Sequence, residues 1–329
     1  MQRVAVLGSN SFSGSDFIDL LLEEGGVEVV GISRSSEKSA LFLPYKRHGG
    51  RNFSFYQMDM NKNSPEIISL LDSFKPEIVV NFAAQSEVAP SWEHPEQWFQ
   101  TNTVALAQLI NALRSRTYLT RYVHISSPEV YGTCQGRVLE SAPMNPTTPY
   151  AASKAAADLL LFTFVKNFGF PLVMVRSTNV YGPHQQLWKI IPRSIIYLKM
   201  NKKIPLHGGG NAVKSYIHIR DISRGEWLAA RKARVGEIYH LSPDGGAQVR
   251  EVVRTICDLM GLDFEASTWA VGERLGQDAA YVIDSAKARK ELGWQPRISL
   301  PEGLSQALDW VNENWQEVQA QSLEYVHAP

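Results

Sequence analysis

Residues 1–22 read MQRVAVLGSNSFSGSDFIDLLL, and the fold follows from where that stretch changes character. A short apolar run, Val4–Gly8, has the length and β-branched content of a buried strand. It breaks at Gly8 into a turn of small residues that closes at Gly14, and from there to about Leu22 apolar residues recur at helical spacing. The segment therefore reads strand, glycine turn, helix. Similar runs recur at Val27–Ile32, Glu77–Phe82, Tyr122–Ile125, Leu172–Val175 and Glu237–Leu241, most of them separated by stretches with helical periodicity. That alternation makes βαβ units, and runs that are continuously apolar need helices on both faces. The expected fold is α/β, a doubly wound parallel sheet. From about Asn179 onward Gly, Pro and Trp interrupt helical pieces such as Pro192–Lys199, Arg250–Met260 and Pro301–Asn314, which predicts a smaller C-terminal α/β lobe for a substrate. The expected division is 1–178 for a dinucleotide-binding domain and 179–329 mainly for the lobe, with the chain free to cross between them. No internal repeat or low-complexity tract marks another boundary.

Composition narrows the function. The chain has 329 residues with 33 basic and 33 acidic side chains, a formal charge of zero, and so lacks the electrostatic footprint that binding a phosphate backbone requires. Nucleic acid is not an expected partner. The two cysteines, Cys134 and Cys257, have no metal-ligand spacing, and such sparse use fits a reducing compartment, so neither a disulfide nor a metal is expected. The first apolar run ends in glycine far short of a signal sequence, and no stretch reads as a membrane span; a cytoplasmic location is expected.

The turn Gly8-Ser-Asn-Ser-Phe-Ser-Gly14 offers backbone N–H groups and a helix N-terminus to a pyrophosphate, with Gly8, Ser11, Phe12, Ser13 and Gly14 as candidate contacts. The plain alternative is an ordinary strand-to-helix turn. At the end of the second strand a site for NAD carries a carboxylate for the ribose hydroxyls. Here the chain reads Gly31-Ile32-Ser33-Arg34-Ser35-Ser36, and a guanidinium with hydroxyls suits a 2′-phosphate, so NADP is expected over NAD. A solvated Arg34 in a polar loop is the alternative.

Tyr150-Ala-Ala-Ser-Lys154 begins a helix after the loop 143–149, and residues four apart share a helix face, so an ammonium can lie beside a phenol. A free tyrosine has a pKa near ~10; an adjacent cation and a positive nicotinamide ring favour the phenolate and make Tyr150 a workable base. Ser126 and Ser127 stand one element upstream, where Ser127 can hydrogen-bond an oxygen being oxidised, and Glu129 adds a carboxylate that simple alcohol dehydrogenation does not need.

Asn81-Phe-Ala-Ala-Gln-Ser86, Ser126-Ser-Pro-Glu-Val-Tyr-Gly132, Pro149-Tyr-Ala-Ala-Ser-Lys154, Thr178-Asn-Val-Tyr-Gly-Pro183 and Glu291-Leu-Gly-Trp-Gln-Pro296 together resemble the nucleotide-sugar 4,6-dehydratases of the extended short-chain dehydrogenase/reductases. The resemblance covers essentially the whole chain and implies a Rossmann-type sheet. Its glycine turn is G-x-x-G-x-x-G, with Ser11 here in place of the central glycine. For the cofactor it implies Asp59 and Met60 at the adenine, Ala83, Ala84 and Gln85 beneath the dinucleotide, and contributions from Asn102, Ser126, Tyr150, Lys154 and Asn179. For the substrate it implies Ser86, Glu87, Ser127, Glu129, Asn179, Lys189 and His207, with Lys214 and Arg274 at the diphosphate. Gln277 and Ala280 replace residues that are often His and Arg in the thymidine-diphosphate-glucose enzymes, so the base is left open.

The implied reaction oxidises C4 through Tyr150, eliminates water across C5 and C6 with Glu129 removing the C5 proton, and returns the hydride to C6. Oxidation comes first because a neighbouring carbonyl is what acidifies C5–H. One position departs from the pattern: an Asp usually precedes the Glu to protonate the departing hydroxyl, and here Pro128 cannot donate a proton. Glu129 then serves twice, Glu87 or a water substitutes, or the chain is a nucleotide-sugar 4-epimerase, decarboxylase or related oxidoreductase. A cofactor-binding module without turnover is the reading from outside enzymology. The resemblance also implies a homodimer paired through the helix carrying Tyr150 and its neighbour near Asn102–Leu113. Among the remaining residues, the eight tryptophans, including Trp310 and Trp315, and His124 read as packing, and Asp221 reads as a helix N-cap.

Overall fold

The structure, a computed structural model, describes residues 1–133, 137–272 and 280–328. Strands β1 (Gln2–Leu7), β2 (Val27–Ser33), β3 (Phe53–Gln57), β4 (Ile78–Asn81), β5 (Arg121–Ile125), β6 (Leu172–Ser177) and β7 (Ile238–Leu241) form one sheet in the order β7-β6-β5-β4-β1-β2-β3. Every neighbouring pair is parallel. The strand order reverses at β1, which lies between β2 and β4 with Leu7 opposite both Ile32 and Asn81. A crevice opens outside the carboxyl ends of the strands at such a reversal, and ligands of this fold bind there.

Alternation along each strand divides the core. Val4 and Val6 pack with Phe17, Ile18 and Leu21 of α1 (Phe12–Glu24) on one face of the sheet, together with Trp227 of the later helix Ile219–Lys232. Ala5 and Leu7 point the other way, onto Leu71 of α2 (Ser64–Phe74), Ile110 of α3 (Leu106–Leu113) and Leu161 of α4 (Pro149–Phe168). Each such fully buried Leu, Ile or Phe contributes about 1.5–3 kcal/mol, and coverage of both faces is why these strands are continuously apolar.

Helices α5 (Ile190–Lys199), α6 (Ile219–Lys232), α7 (Val249–Leu259) and α8 (Leu300–Glu313) follow. All but α6 build a second core, where Ile195, Ile256 and Trp310 meet and Trp315 packs at the margin. Cys257 is buried there as a free thiol, while Cys134 lies outside the described residues. The chain crosses the expected 178/179 division in both directions. β7 returns to the edge of the large sheet beside β6, and Arg137–Val138 leaves to pair with Ala280–Ile283 in a small sheet. Among the described residues no helix is long and apolar enough to cross a membrane.

One capping expectation is corrected. His218, not Asp221, caps α6, its Nδ1 accepting from the Arg220 backbone N–H at 3.2 Å. Asp221 lies within the first turn, buried, where its Oδ2 accepts from the backbone N–H groups of Arg297 and Ile298, both at 2.9 Å. Those two donors belong to a loop distant in sequence, which no local pattern announces.

Candidate active site

The glycine turn is built by contact rather than by flexibility. Gly8 has φ 81°, and a Cβ there would stand 2.7 Å from the Ala83 nitrogen, so the turn presses on the loop after β4. A Cβ on Gly14 would collide with the Gly8 carbonyl oxygen. Between them Ser11 does what a glycine could not: its hydroxyl caps α1, accepting from the Gly14 N–H at 3.0 Å. The departure at position 11 therefore preserves a helix N-terminus aimed at the crevice, the geometry a pyrophosphate requires.

A cavity runs from this turn along the crevice. Gly8 and Ser11 line it together with Ser33, Arg34, Asp59, Met60 and the loop from Ala83 to Glu87. Ser33 is partly committed to the turn, its hydroxyl accepting from the Asn10 N–H at 2.9 Å. Arg34 Nη2 donates to the Ala328 carbonyl at 2.9 Å. Asp59 Oδ1 accepts from the Asn61 N–H at 2.9 Å. Asn102 is buried, with Oδ1 on the Gln85 N–H at 2.8 Å and Nδ2 on the Gln85 carbonyl at 3.0 Å and Ser153 Oγ at 2.9 Å. Its amide therefore acts on the cavity through the Gln85 backbone.

A second cavity adjoins the first and collects the expected chemistry. Phe12 and Ser13 from the turn line it with Ser86, Ser126, Ser127, Glu129, Tyr150, Lys154 and Asn179. Helix α4 starts one residue before Tyr150 because Thr148 caps it, its hydroxyl accepting from Ala151 N–H at 3.1 Å, and Pro149 occupies the first turn. Lys154 follows one turn later, 3% exposed, its ammonium donating to the Ile125 carbonyl at 2.8 Å and standing 3.5 Å from His124 Nε2. His124 is thus a buried neutral imidazole beneath the lysine, its pKa far below the usual value through burial and through Lys154 and Arg176. Ser127 caps the short turn 128–131 that carries Glu129, accepting from the Glu129 N–H at 3.2 Å.

The phenol does not have the lowered pKa expected from an adjacent cation. Burial holds Tyr150 above its ordinary value, the Glu129 carboxylate pushes in the same direction, and the Ser127 hydroxyl pulls it back. Lys154 is brought down to about 8, chiefly by burial, with Asp158 opposing and Arg176 adding to the fall. Burial thus favours the protonated phenol, and a positively charged nicotinamide ring beside it would favour the phenolate.

A third cavity continues into the lobe and holds Glu87, Asn179, Lys189, His207 and Lys214. Lys189 Nζ donates to Glu87 Oε1 at 2.7 Å, and His207 Nδ1 lies 3.1 Å from the Gly272 carbonyl. Arg274 and Gln277 lie outside the described residues. Several cavity-lining residues were not singled out by sequence reasoning, three of them aromatic or basic side chains close to the expected groups. Trp188 and Arg193 flank the expected Lys189, and Tyr325 reaches the first cavity from the far end of the chain. The aromatic and basic content of 188–193 signalled the first two, whereas nothing local marks Tyr325.

Comparison with known proteins bears on the same site. The family model described as GDP-mannose 4,6 dehydratase matches residues 6–307. A dTDP-glucose 4,6-dehydratase of Xanthomonas campestris pv. campestris is 32% identical over 94% of this chain and 93% of its own. One of Streptomyces antibioticus is 35% identical over 74% of this chain and 73% of its own. Among solved structures, the dTDP-glucose 4,6-dehydratase of Streptomyces venezuelae with NAD and TYD bound superposes with a TM-score of 0.89 at 30% identity, covering 96% of this chain and 98% of that one. A match spanning the sheet, the glycine turn and most of the lobe places this chain in the GDP-mannose 4,6 dehydratase family.

Proposed function

We propose that this chain is a nucleotide-sugar 4,6-dehydratase that uses a nicotinamide dinucleotide. The observation that carries the reading is the meeting of Ser127, Glu129, Tyr150 and Lys154 in one cavity that the glycine turn also lines. Gly8, Ser11 and Gly14 suit the pyrophosphate, with Asp59 and Met60 at the adenine and Lys154 toward the ribose. When bound, the dinucleotide would take a hydride from C4 of the sugar and return it at C6. Tyr150 takes the proton of the C4 hydroxyl while Ser127 hydrogen-bonds the same oxygen. With a carbonyl at C4, Glu129 removes the C5 proton.

The departing C6 hydroxyl then needs a proton that Pro128 cannot give. Glu87 lines the first and third cavities rather than the second, which holds Tyr150, and its Oε1 already accepts from Lys189 Nζ at 2.7 Å. Glu129 is the better donor: it passes the proton it took from C5 to the leaving oxygen, and C5 regains one from solvent. The substrate's nucleotide and diphosphate lie along the third cavity toward Lys189, His207 and Lys214. Supplying a panel of nucleotide hexoses to the purified protein is expected to give a 4-keto-6-deoxy product. Failure of every one to react at C6 removes the reading.

Pro128 favours one second reading, a nucleotide-sugar 4-epimerase, whose reaction expels no hydroxyl and so needs no acid at that position. The UDP-glucuronic acid 4-epimerase of Bacillus cereus, solved with UDP-glucuronic acid and NAD, superposes with a TM-score of 0.86 at 25% identity, covering 95% of this chain and 99% of that one. Deuterium at C5 separates the two, since 4,6-dehydration exchanges it with solvent and 4-epimerisation retains it.

Two finer features belong to the same proposal. Ser33 and Arg34 stand where a carboxylate would read ribose hydroxyls, which supports NADP; equal or better turnover with NAD than with NADP would remove that preference. Leu159 on α4 is 58% exposed and Val104 beside α3 is 44% exposed, which supports pairing of two subunits across those helices. Sedimentation of a monomer at micromolar concentration would argue against the pair. The neutral net charge and two cysteines fit a cytoplasmic enzyme.

A further inference from the structure

The segment 322–328 crosses the mouth of the first cavity. The Ala328 carbonyl accepts from Arg34 Nη2 at 2.9 Å and from Gln85 Nε2 at 2.8 Å, so one oxygen joins the end of β2 to the loop after β4. Those two elements flank β1 and its glycine turn, and a link between them spans the crevice. His327 anchors the segment beside the cavity: its ring stacks on Trp98 at 5.1 Å and 12°, and its Nε2 is 2.7 Å from Gln97 Oε1. Trp98 is itself fully buried, a fixed platform. Tyr325 hydrogen-bonds His327 Nδ1 at 3.1 Å, meets Trp188 edge-on at 5.6 Å and 63°, and lines the cavity itself.

We infer that Tyr325 is a dinucleotide-contacting residue and that the segment carrying it forms an outer wall that holds the cofactor between turnovers. Its phenol ring lines the cofactor cavity beside Trp188, which lines both that cavity and the one in the lobe. The inference rests on the proposed reaction in one respect. An enzyme that returns its hydride within the same turnover has no need to exchange dinucleotide, so a wall that slows release does not slow the reaction. A dehydrogenase that must discard reduced cofactor each cycle could not tolerate the same wall.

The test is the release rate of dinucleotide from the full-length protein, followed by chasing bound cofactor with an excess of a fluorescent etheno analogue. Y325A is expected to release up to about 10-fold faster, the loss of one aromatic contact. H327A, which removes the stack on Trp98 outside the cavity, is expected to accelerate release similarly, and Y325F to retain the wild-type rate. Equal release from wild type, Y325A and H327A overturns the inference while leaving the dehydratase reading intact. A wild-type protein that binds no nicotinamide dinucleotide overturns both.

Discussion

Ser126 Oγ donates to Asp158 Oδ2 at 2.6 Å, fastening the end of β5 to α4 one turn beyond Lys154. The same oxygen accepts from Arg176 Nη2 of β6 at 2.7 Å, and Arg176 also bonds the Tyr131 hydroxyl, which meets His240 Nε2 of β7 at 2.7 Å. Asp158 and Arg176 are 0% and 1% exposed, so the floor of the active site is a buried ion pair. Removing one partner of such a pair strands the other charge. Asp158→Asn is expected to lower unfolding free energy in urea by about 3–5 kcal/mol. A loss below about 1 kcal/mol would mean that Arg176 finds other compensation.

The same floor sets a pH dependence. Lys154, lowered to about 8 mainly by burial, carries its charge below that pH and loses it above. With substrate unsaturating, kcat/KM is therefore expected to fall as pH rises through about 8. A rate profile still flat two pH units higher would separate turnover from the charge on Lys154.

Glu226 on α6 is fully buried, and neither carboxyl oxygen has a hydrogen-bond partner among the described residues. Burial, reinforced by Asp16, holds its pKa well above the ordinary 4.5. The folded chain thus keeps a proton that the unfolded chain releases above about 4.5, so stability is full below that value and declines as pH rises toward the folded pKa. Glu226→Gln is expected to flatten the fall of Tm between pH 5 and 8. Parallel Tm curves for the two proteins would refute this.

Gly8→Ala tests the turn. The substitution forces a Cβ into a left-handed backbone 2.7 Å from the Ala83 nitrogen, which costs at least about 1 kcal/mol. Urea unfolding reads the stability, and calorimetry is expected to find dinucleotide affinity reduced as well. Unchanged values in both would place the pyrophosphate elsewhere.

What the sequence discloses is what depends on near neighbours. Val4, Val6, Ala5 and Leu7 announce a strand covered on both faces, and Tyr150 and Lys154 announce a shared helix face because four residues make one turn. Roles set by distant backbone do not show. Asp221 looks like a cap until Arg297 and Ile298 claim it, and nothing near Asn102 in the sequence announces that its amide bonds Gln85 and Ser153. The Ala328 carbonyl lies 294 residues from Arg34 and 243 from Gln85, beyond any periodic signal. Ser11 was legible only as a substitution; its service as the cap of α1 required the geometry of the Gly14 N–H.

β7 is the last strand of the large sheet to be made and lies at its edge, Ile238 opposite Met174 of β6. During synthesis β6 therefore leaves the ribosome with its outer edge unpaired, and it stays so until some sixty further residues have followed, a count read from the interval between Ser177 and Ile238. An apolar edge open for that long invites pairing with other nascent chains. The cofactor half of the molecule cannot complete its sheet as an autonomous early product, and its maturation waits on the lobe.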